Sequence, residues 1–464
     1  RELGDRIIRE LYRDPDYIED AVLDEYLQQL WLPLVDAAQA RGELSPELRE
    51  RFAWRILLVR DRSVNAFALP GGYLGVHLGL IAVVTSRDEL ASVMAHELSH
   101  VTQRHIARSM EAQGRMTPWV IGSLILGALA ASKSPQATQA LVVGGQAAAV
   151  QSQLSYSRDM EREADRIGFG VLSEAGYDPR GFVTMFSKLQ QAAGVNDNGA
   201  YPYLRSHPLT TERIADMHSR LPLGVTLSSV PQDIEQAMLS ARARVLSQSQ
   251  VDSLRAWTQL PVNLPAQATP AQKAGSLYAA TLAHQMLHEP EQARKQWQAL
   301  QALTAPYIAE ARLTRLLGTE LMAAQGDYAQ VVQSTQPSSM LARWPRPELV
   351  TVAQALAHLP KHPATASVVQ QLRLQVQNNP YDAQAWNLLG TLLGAQGQKL
   401  ASLRAEGEAQ RVRMDPQGAL DRFRAAQDVA RTTVLQPGDH IEASIVDTRV
   451  RELQAQLREM QRER

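Results

Sequence analysis

The feature that most constrains this chain is the motif HELSH at residues 96–100, which lies in the middle of a helical pattern. Ser86, followed three residues later by Glu89, forms a capping box and predicts that this helix begins there. Side chains four residues apart on an α-helix differ by about 40° around its axis, so both imidazoles can bind one metal ion. Glu97 lies about 100° further round, beside that ion, where a carboxylate can accept a proton from a water molecule that the ion activates.

A third ligand has to come from another helix, because the last histidine of the longer pattern HExxHxxGxxH is missing. His105 lies nine residues from His96, which places it on the opposite face of the helix, so we do not expect it to bind. Glu161 and Asp165 are again four residues apart and share one face of a later helix. We therefore predict that Glu161 is the third ligand and that Asp165 holds a ligand imidazole by its other nitrogen. Glu163 lies about 200° from Glu161, so only one of the two can face the ion, and the spacing slightly favours Glu161 because Asp165 is its carboxylate partner.

Composition narrows the classes of function that remain. The chain has 464 residues, of which 45% are hydrophobic and 20% charged, so it can bury cores in two to four domains. The 47 basic and 48 acidic residues give a net charge of −1, so nothing favours nucleic acid as a partner. The absence of cysteine excludes disulfide frameworks, cysteine-bound zinc, iron–sulfur clusters and thiol nucleophiles.

The first half of the chain alternates between helical and strand patterns. Residues 1–50 and 86–220 follow the helical period, while 51–84 contain short strand patterns in which Pro70-Gly71-Gly72 is a turn. Prolines accumulate and the helical period weakens across 222–270, which indicates a linker that contains a helix. These patterns predict a helical domain with one small β-sheet, followed by a connecting segment.

A repeat follows the connecting segment. Pro290, Gly326, His362 and Gly397 interrupt the helical pattern at intervals of 36, 36 and 35 residues. Residues 386–390 carry the pattern W-x-x-L-G of a tetratricopeptide helix. Helix pairs of this kind cannot bury their apolar faces alone, so we predict that they stack into a solenoid.

We therefore predict a mainly α protein with two domains. Residues 1–222 form the metal-binding domain, 223–270 the linker, and 271–464 a tetratricopeptide-like α-solenoid. The charged tail from residue 447 is expected to be a terminal capping helix.

The segment 116–150 is unusually apolar and has two possible interpretations. It is too short in its apolar part, and too rich in glutamine beyond it, to predict a spanning helix. It is either a buried helical hairpin or an element that faces a membrane surface or a partner.

Taken together, four motifs resemble the M48 family of zinc metallopeptidases. They are HELSH at 96–100, ExxxD at 161–165, Ser206-His207-Pro208 followed by Arg213, and the strand–turn sequence NAFALPGG at 65–72. The resemblance covers the predicted N-terminal domain. A domain of this family followed by tetratricopeptide repeats is similar to one bacterial branch of the family.

The resemblance implies a zincin-like fold and one zinc ion per chain, bound by the three ligands predicted above, with Glu97 as the catalytic base. It implies that His207 lies near the metal, where it either contacts the ion or the developing oxyanion, or holds the site closed at rest. It also implies that Arg213 faces the substrate carbonyl. The sequence does not decide between the roles of His207.

By the same resemblance, the expected activity is zinc-dependent cleavage of unfolded or misassembled proteins in the periplasm. Outer-membrane β-barrel proteins and their assembly machinery are the implied partners. The substrate is expected to lie extended along an edge strand and to pair with it through backbone hydrogen bonds. The residues assigned to that strand are Tyr73, Leu74, Gly75 and Val76.

Two other functions compete with this one. In the first, the repeat array binds partners like a chaperone and the protease site is latent. In the second, zinc is structural and nothing is hydrolysed, although structural sites usually have four protein ligands and often cysteines.

Overall fold

Helices account for most of the residues that the structure describes, as the mainly α prediction requires. The computed structural model describes residues 2–112, 157–193, 200–224, 233–335, 343–435 and 437–462. These residues form 22 helices and one four-stranded sheet. Within these ranges, no helix combines the length and apolar character that crossing a bilayer requires. The segment 116–150, with its two interpretations, lies outside the described residues.

The chain divides into two compact units, Arg1–Thr314 and Arg315–Arg464. The helices of the first unit are α1 (Glu2–Arg13), α2 (Ala21–Ala40), α3 (Pro46–Arg51), α4 (Leu78–Val83), α5 (Arg87–Thr102), α6 (His105–Ala112), α7 (Arg158–Glu174), α8 (Arg180–Ala193), α9 (Tyr203–Ser206), α10 (Thr211–Ser219), α11 (Ile234–Ser247), α12 (Val251–Thr258), α13 (Pro270–Met286) and α14 (Pro290–Thr304). The division falls inside α15 (Ile308–Ala324). The predicted division into 1–222, 223–270 and 271–464 stays a prediction.

The sheet of the first unit contains four short strands. They are β1 (Tyr17–Ile18), β2 (Arg55–Val59), β3 (Ala66–Leu69) and β4 (Tyr73–His77), in the spatial order β1-β2-β4-β3. β3 and β4 form the predicted hairpin, in which Gly71 and Gly72 take φ values of 95° and 82° that other residues rarely adopt. β2 runs parallel to β4 and antiparallel to β1.

The prediction that Tyr73, Leu74, Gly75 and Val76 form an edge strand is wrong. β4 pairs with β2 on one side and with β3 on the other, and all five of its residues are buried. The local sequence predicts the hairpin, but the parallel pairing with β2 joins residues that are distant in the chain. In the sheet formed by the described residues, the edge strand beside β4 is instead β3.

Helix α5 lies in the centre of the first unit. It packs against α2, α7, α8 and strand β3, and every residue from Glu89 to His100 is buried. Ser86 caps the helix by accepting a hydrogen bond from the backbone N–H of Glu89, as predicted. The polar side chains of HELSH are therefore buried, so their hydrogen bonds and charges must be matched by neighbouring groups.

The segment predicted as a linker contains α11, which packs inside the first unit. It lies against α4 and α13. The hydroxyl of Ser240 donates to the carbonyl of Ile81, and the guanidinium of Arg242 pairs with Asp20 at 2.8 Å. This buried ion pair connects α11 to the N-terminus of α2.

The second unit consists of successive helices. After the end of α15 they are α16 (Tyr328–Ser334), α17 (Arg346–Leu356), α18 (Thr365–Asn378), α19 (Ala383–Ala395), α20 (Lys399–Val412), α21 (Pro416–Thr432) and α22 (Asp439–Arg462). Gly326 and Gly397 stand in turns with φ values of 81° and 77°. Trp386 is buried in the core that α16 to α20 share. The terminal helix begins before the predicted residue 447 and buries one apolar face against α21.

Candidate metal centre

Four side chains from three parts of the chain converge beside α5. His96 and His100 come from α5, Glu161 comes from the first turn of α7, and His207 follows α9. One nitrogen or carboxylate oxygen from each lies within 4.8 Å of the others, and all four residues are buried. The structure thus brings the three predicted ligands together and adds His207 to them.

The distances between these atoms are short. The Nε2 atoms of His96 and His100 are 3.0 Å apart, and each lies 3.4 Å from a carboxylate oxygen of Glu161. Nδ1 of His207 lies 3.3 Å from Nε2 of His96 and 3.0 Å from Oε1 of Glu161. The four groups therefore face one common point.

This spacing fits a tetrahedral metal site. With metal–ligand bonds of about 2.0–2.1 Å, neighbouring ligand atoms of a tetrahedron lie about 3.3–3.4 Å apart. The observed separations of 3.0–3.4 Å match that edge length closely. Three imidazoles and one carboxylate are also a donor set that suits a transition-metal ion.

Glu97 lies next to the cluster but is not part of it. Its Oε2 accepts a hydrogen bond of 3.0 Å from the backbone N–H of Ala68 on β3, and its Oε1 lies 3.3 Å from Nε2 of His207. The side chain is fully buried. Its position agrees with the helix geometry, in which residue 97 projects beside the ion.

A second layer of charged groups holds His96 and Glu161. Oδ1 of Asp165 lies 2.9 Å from Nδ1 of His96, the nitrogen that faces away from the cluster. Arg213 donates to both oxygens of Asp165, at 2.6 and 2.8 Å, and its Nη1 lies 2.9 Å from Oε2 of Glu161. Arg213 was expected to face a substrate carbonyl. The structure places its guanidinium against these two carboxylates instead.

The charges in the cluster shift its pKa values in opposite directions. Burial opposes a charge on His96, but Asp165 and Glu161 raise its pKa to about 10. Burial and the charge of His96 hold the pKa of His100 well below its usual value. Although burial favours the neutral acid, His207 and His96 hold the pKa of Glu161 well below its usual range. The Glu161 carboxylate is therefore ionised at neutral pH and favours a cation in the site.

His207 is placed by a short helix and an aromatic ring. Its backbone N–H donates to the carbonyl of Tyr203 and closes the single turn of α9. The rings of His207 and Tyr203 stack with centroids 4.5 Å apart and planes inclined by 26°. Pro208, next in the chain, accepts a hydrogen bond from Arg213 through its carbonyl.

His105 is a residue whose placement the sequence did not reveal. It was expected on the far face of a continuous helix, but α5 ends at Thr102 and α6 begins at His105. The ring of His105 lies beside His100, with the two Nδ1 atoms 2.8 Å apart. As predicted, it is outside the set of ligand atoms. The only sign of this placement in the sequence is that His105 follows HELSH closely. Helix geometry alone does not predict the placement, because a continuous helix would turn His105 away from His96.

Comparison with known proteins identifies relatives for both halves of the chain. Residues 23–221 match Peptidase family M48. The putative beta-barrel assembly-enhancing protease of Vibrio cholerae is 39% identical over 217 residues, which cover 47% of this chain and 43% of that relative. The beta-barrel assembly-enhancing protease of Escherichia coli K12 is 31% identical over 428 residues, which cover 89% of this chain and 81% of that relative.

Other relatives match a shorter part of the chain. The mitochondrial metalloendopeptidase OMA1 of Schizosaccharomyces pombe is 32% identical over 169 residues, which cover 36% of this chain and 47% of that relative. The match to the Escherichia coli protein, in contrast, extends over most of both chains.

Proposed function

Because this chain belongs to peptidase family M48, together with the beta-barrel assembly-enhancing proteases, we propose that it is a zinc-dependent endopeptidase. The observation that carries the proposal is the approach of His96, His100 and Glu161 to one point, with Glu97 beside it. These residues constitute the HExxH motif and the glutamate ligand predicted from the sequence. We assign one zinc ion to each chain.

The residues around the site have different roles in peptide hydrolysis. When bound, zinc makes a water molecule more acidic and polarises a carbonyl group. Glu97 takes the proton of the attacking water at its carboxylate and later delivers it to the nitrogen of the leaving amine. The backbone N–H of Ala68 orients that carboxylate through its other oxygen. Asp165 and Arg213 hold His96 and Glu161 in position.

His207 closes the site in this conformation. Its Nδ1 lies 3.3 Å from Nε2 of His96 and 3.0 Å from Oε1 of Glu161, so it would take the position on a bound zinc ion that water and the substrate carbonyl need. It also approaches Glu97 through Nε2, so one ring engages both the metal position and the base. We propose that this is the resting state, and that His207 has to leave before cleavage begins. This contact also supports the alternative in which the protease is largely latent and the protein acts mainly as a chaperone.

The substrate strand is assigned to β3. β3 is the edge strand beside β4 in the described sheet, and Ala68 connects it to Glu97. An extended peptide that adds to this edge lies next to the metal position and pairs through backbone groups, which accept many side chains. Such pairing requires an unfolded segment and favours unfolded or misassembled proteins as substrates.

The relatives suggest where those substrates occur. Two of them are named beta-barrel assembly-enhancing proteases, and the Escherichia coli protein aligns over 81% of its length. We propose that this chain acts in the periplasm on outer-membrane β-barrel proteins and contacts their assembly machinery. The helix pairs after residue 270, which we interpret as tetratricopeptide-like repeats, would provide the surface for these partners.

The Glu97→Gln variant tests the proposed activity. We expect it to retain zinc, because Glu97 is not a ligand, and to lose cleavage of an unfolded protein by about 10²–10⁴-fold. Zinc is measured by elemental analysis and cleavage by the release of fluorescent peptides. Glu174→Gln makes the same chemical change at an exposed position near the end of α7 and should leave both unchanged.

Two results would contradict the proposal. If the Glu97→Gln variant cleaves as fast as the wild type, Glu97 is not the base. If zinc is bound but no variant and no condition produces cleavage, the site is structural. A chaperone function with a latent protease predicts instead that Glu97→Gln restores full biological activity in cells that lack the protein.

A further inference from the structure

An abrupt change of direction separates α5 from α6. α5 ends at Thr102, and Arg104 has a φ of 54°, in the left-handed region that residues other than glycine rarely adopt. Such a conformation costs about 1–2 kcal/mol. The next residue, His105, begins α6 and is fully buried. The turn therefore places a buried imidazole next to the metal cluster.

His105 contacts the nitrogen of His100 that cannot face the metal. The Nδ1 atoms of the two rings are 2.8 Å apart, and the Nε2 of His100 points into the cluster. On its far side, Nε2 of His105 lies 3.0 Å from Oε2 of Glu163. The same oxygen accepts a hydrogen bond of 2.7 Å from Arg108. These side chains form one row from the metal position to the surface.

We propose that His105 and Glu163 are positioning residues that fix the tautomer and orientation of His100 for metal binding. The inference rests on the proposed metal site. A neutral imidazole that binds through Nε2 carries its proton on Nδ1, so His100 donates and Nδ1 of His105 accepts. His105 then carries its proton on Nε2 and donates to Glu163. Every nitrogen in the row thereby has one defined role.

The two histidines of HELSH are held by different partners on their outer nitrogens. Nδ1 of His96 faces Asp165 directly, and Arg213 binds that carboxylate. For His100 a second imidazole stands between the ligand and the carboxylate of Glu163. A neutral imidazole accepts a hydrogen bond without adding a buried negative charge beside Glu161, which already supplies one.

The test compares two substitutions of His105 by their effect on zinc affinity. His105→Leu removes the acceptor, whereas His105→Asn keeps an acceptor oxygen close to the position of Nδ1. The zinc dissociation constant is measured by competition with a chromogenic chelator. We expect about 10–100-fold weaker binding in His105→Leu, the usual effect of losing such a partner, and a change of less than about 3-fold in His105→Asn. Circular dichroism checks that both variants fold.

A second variant and a spectroscopic measurement keep the test decisive if His105→Leu does not fold. Glu163→Ala alters a partly exposed residue and should weaken zinc binding less than His105→Leu does. In zinc-loaded wild type, ¹⁵N–¹H spectra of labelled histidine should place the proton of His100 on Nδ1 and that of His105 on Nε2. Equal zinc affinity in all variants, equal losses in His105→Leu and His105→Asn, or a proton on Nδ1 of His105 would overturn the inference. A wild-type protein that binds no zinc would refute the proposed function instead.

Discussion

Single residues in the centre are held through both of their polar ends. Each histidine of HELSH turns one nitrogen toward the candidate metal position and the other toward a partner, Asp165 for His96 and His105 for His100. Glu97 likewise accepts a hydrogen bond from the backbone of β3 with one of its carboxylate oxygens. Groups fixed at two points lose little freedom when a metal or substrate binds, which is the basis of preorganised sites.

His207→Ala tests whether His207 blocks or assists the reaction. Three ligands remain in this variant, so we expect it to keep zinc and to cleave unfolded protein faster. If about a tenth of the molecules are open at rest, the rate rises roughly tenfold. Cleavage is measured at limiting substrate, with zinc content as the control. A lower rate with zinc retained would mean that His207 stabilises the oxyanion.

The elements that carry these residues are specified by different parts of the sequence. Helix α5 follows from its Ser86 cap and the helical period, and its burial follows from packing against several neighbours. The end of α5 depends on the left-handed Arg104, which no simple sequence rule predicts. The order of the strands depends on the parallel pairing of β2 with β4, which brings β3 to the edge.

Ala68→Pro tests the edge strand. Proline has no N–H, so the hydrogen bond that orients the Glu97 carboxylate is lost. We expect cleavage to fall at least about 10-fold, the factor that corresponds to one hydrogen bond to a charged group, with zinc content unchanged. Steady-state kinetics on an unfolded substrate provide the measurement. Unchanged kinetics in a folded, zinc-loaded variant would mean that the contact between β3 and Glu97 does not matter for cleavage.

Asp382 makes the stability of the second unit dependent on pH. Burial opposes ionisation, but Arg346 at 2.7 Å, with the N–H of Ala385 and the amide of Gln375, lowers the pKa of the Asp382 carboxyl. Because this pKa is lower in the folded chain than its unfolded value of about 3.9, the ionised carboxylate stabilises the unit at pH values above about 3.9. The stabilisation is lost as the pH falls from about 3.9 toward the folded-state pKa. We expect Asp382→Asn to cost about 1–3 kcal/mol at pH 7, and less as pH drops below about 5.

Urea denaturation at pH 7 and pH 3 checks this prediction. Asp428→Asn changes an exposed aspartate of α21 and serves as the control, with an expected effect near zero at both values. If the difference in the free energy of unfolding between wild type and Asp382→Asn grows as the pH falls, the prediction is wrong.

At the scale of the whole molecule, the chain contains two compact units, and the candidate metal centre lies in the first of them. The residues of the candidate centre come from α5, α7 and the segment after α9, so an ion bound there would connect segments that are far apart in the sequence. Binding of an ion to the folded state alone stabilises the unit that holds it.

Removal of zinc should therefore affect the two units differently. Zinc at about 100 times its dissociation constant stabilises a folded unit by about 2.7 kcal/mol, which a chelator removes. We expect calorimetry to resolve two transitions, of which the chelator lowers one. Asp382→Asn should lower the other and so assign it to the second unit. A chelator that moves both transitions equally, or neither, would contradict the prediction.

The sequence by itself determined the parts of this protein that depend on helix geometry over a few residues. HELSH and Glu161 with Asp165 predicted side chains that the structure brings together, Gly326 and Gly397 located turns between helices, and the 65–77 hairpin was visible from its turn. Local spacing suffices there, because α-helices and tight turns have fixed periods.

The tertiary structure alone decided how distant segments meet. It placed His207 beside His96 and Glu161, turned Arg213 toward Asp165 and Glu161, brought His105 against His100, and moved the sheet edge from β4 to β3. Each of these depends on a chain reversal or a pairing between residues far apart in sequence. Such contacts are set by the packing of the whole unit, and no local period encodes them.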